Sequence, residues 1–180
     1  MRVLKCLMIF SLVFLVGCSN KEDEIVATNE QIVTEYGTYK LDNTKLEMEI
    51  KEIKDLEEVE PSAPSGGYNF YEDKKGTHYN VVIGTFKNPS QEILNGKNFI
   101  TKAKRDKKIY DSKFAIENAD GSTLMFDQDT AGSEINFYIV SIVKDGKEPP
   151  STFELYYQND LKPNTDSKSW DNKLVINISQ

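Results

Sequence analysis

The stretch Glu134-Ile-Asn-Phe-Tyr-Ile-Val-Ser-Ile-Val143 decides the fold class. Its apolar residues fall on both alternating faces of an extended chain, and Asp145-Gly146 and Pro149-Pro150 end the run. A short run of β-branched and aromatic residues bounded by turn residues is typical of a strand that is buried on both sides. The stretch therefore predicts a central strand of a packed β-sheet.

Strand patterns recur on both sides of this stretch. Six further segments have the alternation or the composition of strands, and turn residues such as Asn88-Pro89-Ser90 and Asp120-Gly121 separate them. The segments are 45–51, 78–86, 98–104, 108–117, 153–157 and 173–178. Short strands at this spacing, with no helical period after residue 60, predict an all-β fold with the architecture of a β-sandwich.

Residues 45–60 allow two interpretations. Lys45–Lys51 alternates apolar and charged side chains, which indicates a half-buried strand. A helical face is also present, formed by Leu46, Ile50, Ile53 and Leu56. The strict alternation favours a strand, and a helix remains the alternative.

The N-terminus has the features of a secretory signal. Arg2 and Lys5 precede an apolar run, Cys6–Val16, that is too short to span a bilayer because a spanning helix needs about 20 residues. The sequence Leu15-Val16-Gly17-Cys18 resembles the lipobox of bacterial lipoproteins. The resemblance implies that residues 1–17 are a signal peptide and that Cys18 carries a diacylglycerol anchor on the outer face of a cell membrane. A plain signal peptide with a chance cysteine is the alternative.

Cysteine content and charge exclude several classes of function. Cys6 lies in the segment to be removed, so the mature chain has no second thiol for a disulfide, a zinc site or a nucleophile. The full chain has 22 Lys and Arg against 29 Asp and Glu, and losing Arg2 and Lys5 leaves 20 against 29, a net charge of −9. An acidic chain with Arg105 as its one remaining arginine is not expected to bind nucleic acid.

The mature chain divides into two parts. Residues 18–44 are mostly polar and predict a flexible tether, although residues 31–40 contain enough apolar side chains to dock on the domain as an edge. Residues 45–180 carry the strand patterns and predict one folded domain.

The order of these patterns is similar to that of a known family. Thr77-His-Tyr-Asn-Val-Val-Ile-Gly-Thr-Phe-Lys-Asn-Pro-Ser90 and the stretch 134–143 resemble the Ig-like domain of many Gram-positive lipoproteins, domain of unknown function 4352, which has relatives among secreted mycobacterial immunogenic proteins. The resemblance spans roughly residues 45–178. It implies an Ig-like antiparallel β-sandwich of about seven strands that is extracellular and not a catalyst, and it assigns no functional residues.

The sequence lacks the usual combinations of catalytic residues. His78 is the single histidine, and a lone histidine without His or Cys partners is expected to be an ordinary strand-edge residue. Ser141-Ile-Val-Lys144 matches a Ser-x-x-Lys motif, but residues three apart on a strand face opposite sides. We therefore predict no catalytic site and no cofactor.

Carboxylates are numerous and one acidic loop is a candidate for calcium. Asp127 and Asp129 precede Glu134 in a loop, and oxygen ligands in loops can bind calcium. The spacing differs from that of an EF-hand, so a solvated acidic turn is the favoured interpretation and no metal is predicted.

Two groups of residues are candidates for a binding surface. The first is a basic cluster at a predicted hairpin, and its ordinary interpretation is a solvated turn. The second is a set of aromatic residues beside the loop 61–67, and its ordinary interpretation is a cover for the core. The candidate residues are Lys102, Lys104, Arg105, Lys107 and Lys108, and Tyr68, Phe70 and Tyr71. Trp170, between polar residues, raises the same question as the aromatic set.

These observations favour a lipid-anchored, non-catalytic module that binds or adheres to a cell-envelope protein or a wall polymer. An accessory subunit or inhibitor of an envelope machine is the first alternative. A hydrolase that uses paired carboxylates is the second, and it is disfavoured because the expected motifs are missing.

Overall fold

The computed structural model describes residues 24–34, 36–42, 44–68, 70–160, 163–166 and 168–178. The predicted signal peptide, residues 1–17, and the predicted lipidation site, Cys18, lie outside these residues. Within the described part of the chain, none of the helical structure has the length and apolar character needed to cross a membrane.

The regular secondary structure of the described residues is β-strand, apart from one 3₁₀ turn at Gly96–Asn98. The strands are β1 (Val26–Thr34), β2 (Gly37–Lys40), β3 (Glu47–Leu56), β4 (Thr77–Lys87), β5 (Leu94–Asn95), β6 (Phe99–Arg105), β7 (Lys108–Tyr110), β8 (Ser112–Glu117), β9 (Leu124–Met125), β10 (Asp129–Thr130), β11 (Glu134–Lys144), β12 (Thr152–Tyr157) and β13 (Ser169–Asn177). Each of the seven segments predicted as strands contains strand, which confirms the all-β prediction.

Two sheets pack face to face as a sandwich, as predicted. Sheet A has the strand order β1-β13-β12-β6-β7, and sheet B has the order β2-β3-β4-β11-β8-β9. The short strands β5 and β10 pair with each other. Strand β1 runs parallel to β13, whereas the neighbours within sheet B are antiparallel.

The main hydrophobic core lies between the two sheets. Strand β11 is the centre of sheet B and pairs along its whole length with β4. Phe86 and Phe137 from these strands have ring centroids 4.7 Å apart, and Phe86 also stacks on Phe99 of sheet A at 5.1 Å. These rings are fully buried, so the sandwich is stabilised by aromatic contacts across its middle.

Residues 47–56 form a strand, so the helical alternative for residues 45–60 is wrong. A β-bulge between Ile50 and Glu52 shifts the register of β3 against β4. Met48 and Ile50 face the core before the bulge, and Ile53 packs against the same core after it. One extra residue in a strand reverses the alternation beyond it, which explains why the apolar spacing resembles that of a helix.

The prediction of a flexible tether over residues 18–44 is wrong for β1 and β2. Val33 of β1 is buried in the main core opposite Ile176, and Leu41, just after β2, is 1% exposed. The chain passes from the edge of sheet A to the edge of sheet B between the two strands, and the Tyr39 hydroxyl donates a hydrogen bond to the Thr34 carbonyl. The predicted docking of residues 31–40 as an edge is confirmed.

A second hydrophobic core covers the outer face of sheet B. The residues between β3 and β4, 57–68 and 70–76, form a cap segment across this face. Val59 is buried there and exchanges two backbone hydrogen bonds of 3.0 Å with Tyr71. The buried Glu117 carboxylate accepts hydrogen bonds from the Ser62 backbone amide and from Asn136, which fixes the cap segment to the sheet.

Candidate ligand-binding cavity

The chain changes sheets within residues 108–117, which the sequence predicts as a single strand. Tyr110 pairs with Ala103 in sheet A, whereas Ser112 pairs with Ser141 in sheet B, so the change occurs at Asp111. Strands β6 and β8 meet at this corner and diverge from it, because they belong to different sheets. The space between them is a cavity of about 520 Å³, within the range that small ligands occupy in proteins.

The walls of the cavity are mainly apolar and include four aromatic rings. Phe99 and Phe114, from the two sheets, have ring centroids 4.8 Å apart. Tyr71 of the cap segment meets Phe126 edge to face at 5.8 Å. The lining residues are Tyr71, Gly96, Phe99, Ile100, Thr101, Ser112, Lys113, Phe114, Phe126, Asp127 and Ile142.

Two hydroxyl groups lie where β6 and β8 come together. The Oγ1 atom of Thr101 and the Oγ atom of Ser112 are 2.7 Å apart, and both residues are partly exposed. Thr101 shares a face with Phe99 and Ala103, and Ser112 shares one with Phe114, so both side chains point between the sheets. The lining of the cavity therefore combines aromatic rings with a pair of hydroxyl groups.

Gly96, the first residue of the 3₁₀ turn, forms part of the cavity wall. A Cβ atom at this position would lie 1.4 Å from the Phe126 carbonyl oxygen. The Gly96 amide instead donates a hydrogen bond of 3.0 Å to the Gln128 carbonyl. Only glycine allows this close approach of two backbones, which places Phe126 and Asp127 at the rim of the cavity.

The charged groups of the cavity are at its mouth. Lys113 and Asp127 are the charged residues among the described lining residues, and both are exposed to solvent. The lining therefore does not provide the two facing carboxylates that a glycosidase uses. Its arrangement is suited to holding a ligand, with apolar walls and a few polar groups that orient it.

The three predicted aromatic candidates have different positions. Tyr71 lines the cavity, and its ring also packs on Tyr79 at 5.3 Å. The Tyr71 hydroxyl is buried without a hydrogen-bond partner among the described residues. Burial, with a smaller contribution from the Asp111 carboxylate, raises the pKa of Tyr71 well above its ordinary value.

Tyr68 and Phe70 are not among the residues that line the cavity. Their rings pack on each other with centroids 5.0 Å apart in the cap segment. The Tyr68 hydroxyl donates a hydrogen bond of 3.0 Å to Glu60, and this bond raises the pKa of Tyr68. Trp170 is 3% exposed in β13, so it belongs to the folded body of the domain and not to a loop surface.

The predicted basic cluster lies on the hairpin β6–β7, as expected, but the Lys104 side chain forms an ion pair. Its Nζ lies 2.8 Å from Glu154, whose carboxylate also contacts Lys173 at 2.9 Å. Burial raises the pKa of the Glu154 carboxyl, but hydrogen bonds from both lysines and from Tyr156 outweigh burial and hold the pKa below its ordinary value. Lys102 stands opposite Glu154 in the register of β6 and β12.

The other members of the basic cluster lie at the turn of the hairpin. Arg105 forms an ion pair of 3.3 Å with Glu148 and donates a hydrogen bond to the Pro149 carbonyl. Lys107 and Lys108 are exposed, and the Lys108 Nζ lies 4.0 Å from the centre of the Tyr110 ring. The structure thus divides the cluster between an ion-pair network on sheet A and a small exposed group at the turn.

The remaining residues singled out in the sequence are separate from the cavity, apart from Asp127. The Nδ1 atom of His78 lies 3.7 Å from Asp145. Ser141 and Lys144 are both on β11, the first buried and the second exposed, as expected for positions three apart on a strand. Within the described chain, no group of three or more His, Cys, Asp or Glu side chains is arranged to hold a metal ion.

The hydroxyl pair and Gly96 were not predicted from the sequence as parts of a site. Thr101 and Ser112 are polar residues at inward positions of their strands, beside Phe99 and Phe114. A polar residue in the inward register is the one signal that the sequence offers. Their proximity depends on the change of sheet at Asp111, which no local pattern predicts.

Comparison with known proteins supports the fold. No protein-family model matches the chain, and no curated protein matches it either. An uncharacterized β-sandwich protein from Clostridium difficile is similar in structure, with a TM-score of 0.57 and 17% sequence identity over 87% of this chain and 99% of that chain. The YjhA protein from Bacillus subtilis has a TM-score of 0.44 and 12% identity over 82% of this chain and 100% of that chain. At 17% identity the likeness to the first protein shows a β-sandwich fold alone.

Proposed function

We propose that the chain is an exported, lipid-anchored binding module without catalytic activity, and that it binds its ligand in the cavity between β6 and β8. The observation that carries the proposal is the cavity itself, about 520 Å³ in volume, with aromatic rings and a hydroxyl pair in its lining. Cavities of this size and composition are typical of sites that bind small molecules. The resemblance to domain of unknown function 4352 agrees with an extracellular module and remains a proposal.

An anchor on Cys18 would keep the sandwich close to the membrane. Strand β1 begins at Val26, eight residues after Cys18, and eight residues span at most about 28 Å at about 3.5 Å per residue. Phe99, the first residue of β6, aligns through β12 and β13 with Asn29, the fourth residue of β1. The hairpin β6–β7 therefore points away from the anchored end, and Phe99 lies near it.

A protein partner is the second candidate, and a free sheet edge favours it. Strand β1 is a nine-residue edge of sheet A without Lys or Pro, the residues that usually protect an edge from further pairing. Val26 and Ile32 on this strand are 60% and 66% exposed. A partner strand added to β1 would suit an accessory subunit or an inhibitor of an envelope machine.

The proposal is tested by recovering the ligand from the native cell envelope. The chain is purified from its own cells, denatured, and the released small molecules are compared by mass spectrometry. Ile100→Trp narrows the cavity with a residue that stays apolar, and Ile109→Trp is the matched control, since Ile109 is 42% exposed and outside the lining. We expect a compound that is retained by the wild type and by Ile109→Trp and lost from Ile100→Trp. Equal recovery from both variants would exclude the cavity as the site.

The anchor is tested separately by Cys18→Ser. Incorporation of labelled fatty acid into the wild type and not into this variant is the expected result. Absence of label from the wild type, or equal label in both forms, would contradict lipidation of Cys18. If the wild-type chain captures a protein instead of a small molecule, and a substitution at Ile32 abolishes this capture, the second candidate is favoured.

A further inference from the structure

One part of the cavity lining is polar but carries no charge. Thr101 and Ser112 contribute one hydroxyl each, 2.7 Å apart and partly exposed. One of these hydroxyls donates to the other, so the pair retains one O–H donor and several acceptor lone pairs. A ligand group that both donates and accepts hydrogen bonds, or one that only accepts them, can therefore bind to this hydroxyl pair.

A row of polar residues continues from this pair into the sandwich. Ser112 stands opposite Ser141, and Ser141 stands opposite Asn80, whose Nδ2 donates a hydrogen bond of 2.9 Å to Asp55. Ser141 Oγ and Asn80 Oδ1 are buried without hydrogen-bond partners among the described residues. Unpaired buried polar atoms destabilise a fold, and such departures from an apolar core are concentrated at functional sites.

The walls and the mouth restrict the ligand further. Phe99, Phe114 and Phe126 provide apolar contact, while Lys113 and Asp127 remain in solvent at the mouth. A charged group placed against the hydroxyl pair, among the aromatic rings, would lose part of its hydration without meeting an opposite charge, which is unfavourable.

We infer that the ligand is a neutral, mainly apolar small molecule with one hydroxyl or carbonyl group, and that this group hydrogen-bonds to Thr101 and Ser112. The inference rests on the proposed function, because it specifies what the same cavity binds. It differs from that proposal in naming the neutral polar group and the two residues that recognise it.

Three probes with the same two-ring body test the inference. They are 2-naphthol, which is neutral and carries a hydroxyl; naphthalene, which has no polar group; and 2-naphthoate, which carries a negative charge. Dissociation constants are measured by calorimetry with residues 19–180, which retain every described residue. We expect 2-naphthol to bind roughly 3- to 10-fold more tightly than naphthalene, the usual effect of one net hydrogen bond. We expect 2-naphthoate to bind most weakly.

Two variants locate the recognition. Thr101→Val with Ser112→Ala removes both hydroxyls together, and it should bring the affinity for 2-naphthol down to that for naphthalene while naphthalene binding stays the same. Lys113→Gln tests the charge at the mouth. Lys108→Gln, at an exposed residue outside the lining, is the control and should bind the three probes as the wild type does. Circular dichroism of each variant confirms that it is folded.

The possible results separate this inference from the proposed function. Equal affinity for 2-naphthol and naphthalene in the wild type would overturn the inference. It would also be overturned if 2-naphthoate bound most tightly of the three probes and lost this binding in Lys113→Gln. In both cases the cavity would still bind a ligand. Failure of all three probes to bind a folded wild-type chain would overturn both the inference and the assignment of the cavity as the binding site.

Discussion

Thr101 and Ser112 join the two sheets of the sandwich through a hydrogen bond of 2.7 Å between their hydroxyl oxygens. The bond lies at the corner where the chain leaves sheet A for sheet B, and beyond it β6 and β8 separate around the cavity. The pair is one hydroxyl-to-hydroxyl contact between two partly exposed side chains, and its contribution to stability can be measured by substitution.

Removing one hydroxyl of this pair is expected to cost more than removing both. Thr101→Val alone leaves Ser112 without its partner and should lower the free energy of unfolding by about 1 kcal/mol, whereas the double variant with Ser112→Ala should be nearly neutral. A double-mutant cycle from urea denaturation measures this coupling. Additive effects of the two substitutions would show that the bond is absent in solution.

Gly96 is expected to tolerate no side chain. Gly96→Ala forces the wall of the cavity away from the Phe126 carbonyl and should lower the free energy of unfolding by about 3 kcal/mol or more. Gly67→Ala is the control, because a Cβ atom there meets nothing within 4 Å. Thermal denaturation compares the two, and a Gly96→Ala variant as stable as Gly67→Ala would contradict the close approach of the two backbones.

Removing the hydroxyl group is expected to change the free energy of unfolding differently at two tyrosines of the second core. Tyr71→Phe removes a buried hydroxyl that has no partner among the described residues, so we expect no loss of stability or a gain of up to about 1 kcal/mol. Tyr79→Phe removes a hydrogen bond of 2.8 Å to the Glu72 carbonyl and should cost about 1 kcal/mol. Chemical denaturation of both variants tests the difference. A loss in Tyr71→Phe equal to that in Tyr79→Phe would mean that the Tyr71 hydroxyl has a partner.

The Glu154 network should make stability depend on pH in the acid range. The folded state holds the pKa of Glu154 below its unfolded value of 4.5, so the carboxylate stabilises the fold above pH 4.5 and loses this effect as the pH falls through the folded-state pKa. Glu154→Gln should cost about 2 kcal/mol at pH 7, and the difference from wild type should narrow below pH 4.5. Urea denaturation from pH 7 to 3 measures this.

The control for this network is Glu148→Gln. Glu148 pairs with Arg105, but its side chain is 78% exposed, and exposed pairs contribute little to stability. A constant gap between wild type and Glu154→Gln over the whole pH range would contradict the role of the carboxylate charge.

Strand β1 should contribute to stability through one face only. Val33→Ala removes buried contacts in the main core and should cost about 2 kcal/mol, whereas Ile32→Ala should change stability by less than about 0.5 kcal/mol. Hydrogen exchange of the β1 amides provides a second measurement. Rapid exchange together with two neutral substitutions would mean that residues 26–34 are a tether after all.

The strands of the sandwich were largely predictable because their signals are local. Alternation and turn residues place β3, β4, β11, β12 and β13 to within a few residues. Strand β1 was not predictable, because an edge strand that buries only Val33 fully has the polar composition of a tether. The bulge in β3 concealed the period of that strand in a similar way.

The cavity could not be predicted because its residues come from distant parts of the chain. Phe99, Phe114 and Phe126 converge only after the chain has changed sheets at Asp111, and a local pattern carries no information on that change. Tyr71, a candidate from the sequence, lines the cavity, but it was chosen as an aromatic residue beside a loop and not for cavity lining. The basic cluster was placed correctly on a hairpin, while its ion pair with Glu154 depends on the register of β12 against β6.

The most direct test of the account is to map where 2-naphthol binds to isotope-labelled residues 19–180 by NMR. We predict that the amide and methyl shifts that change on titration belong to Phe99, Thr101, Ser112 and Phe114, and that they saturate together. Changes confined to Lys107, Lys108 and the hairpin turn, or to the free edge of β1, would contradict the cavity as the ligand-binding site.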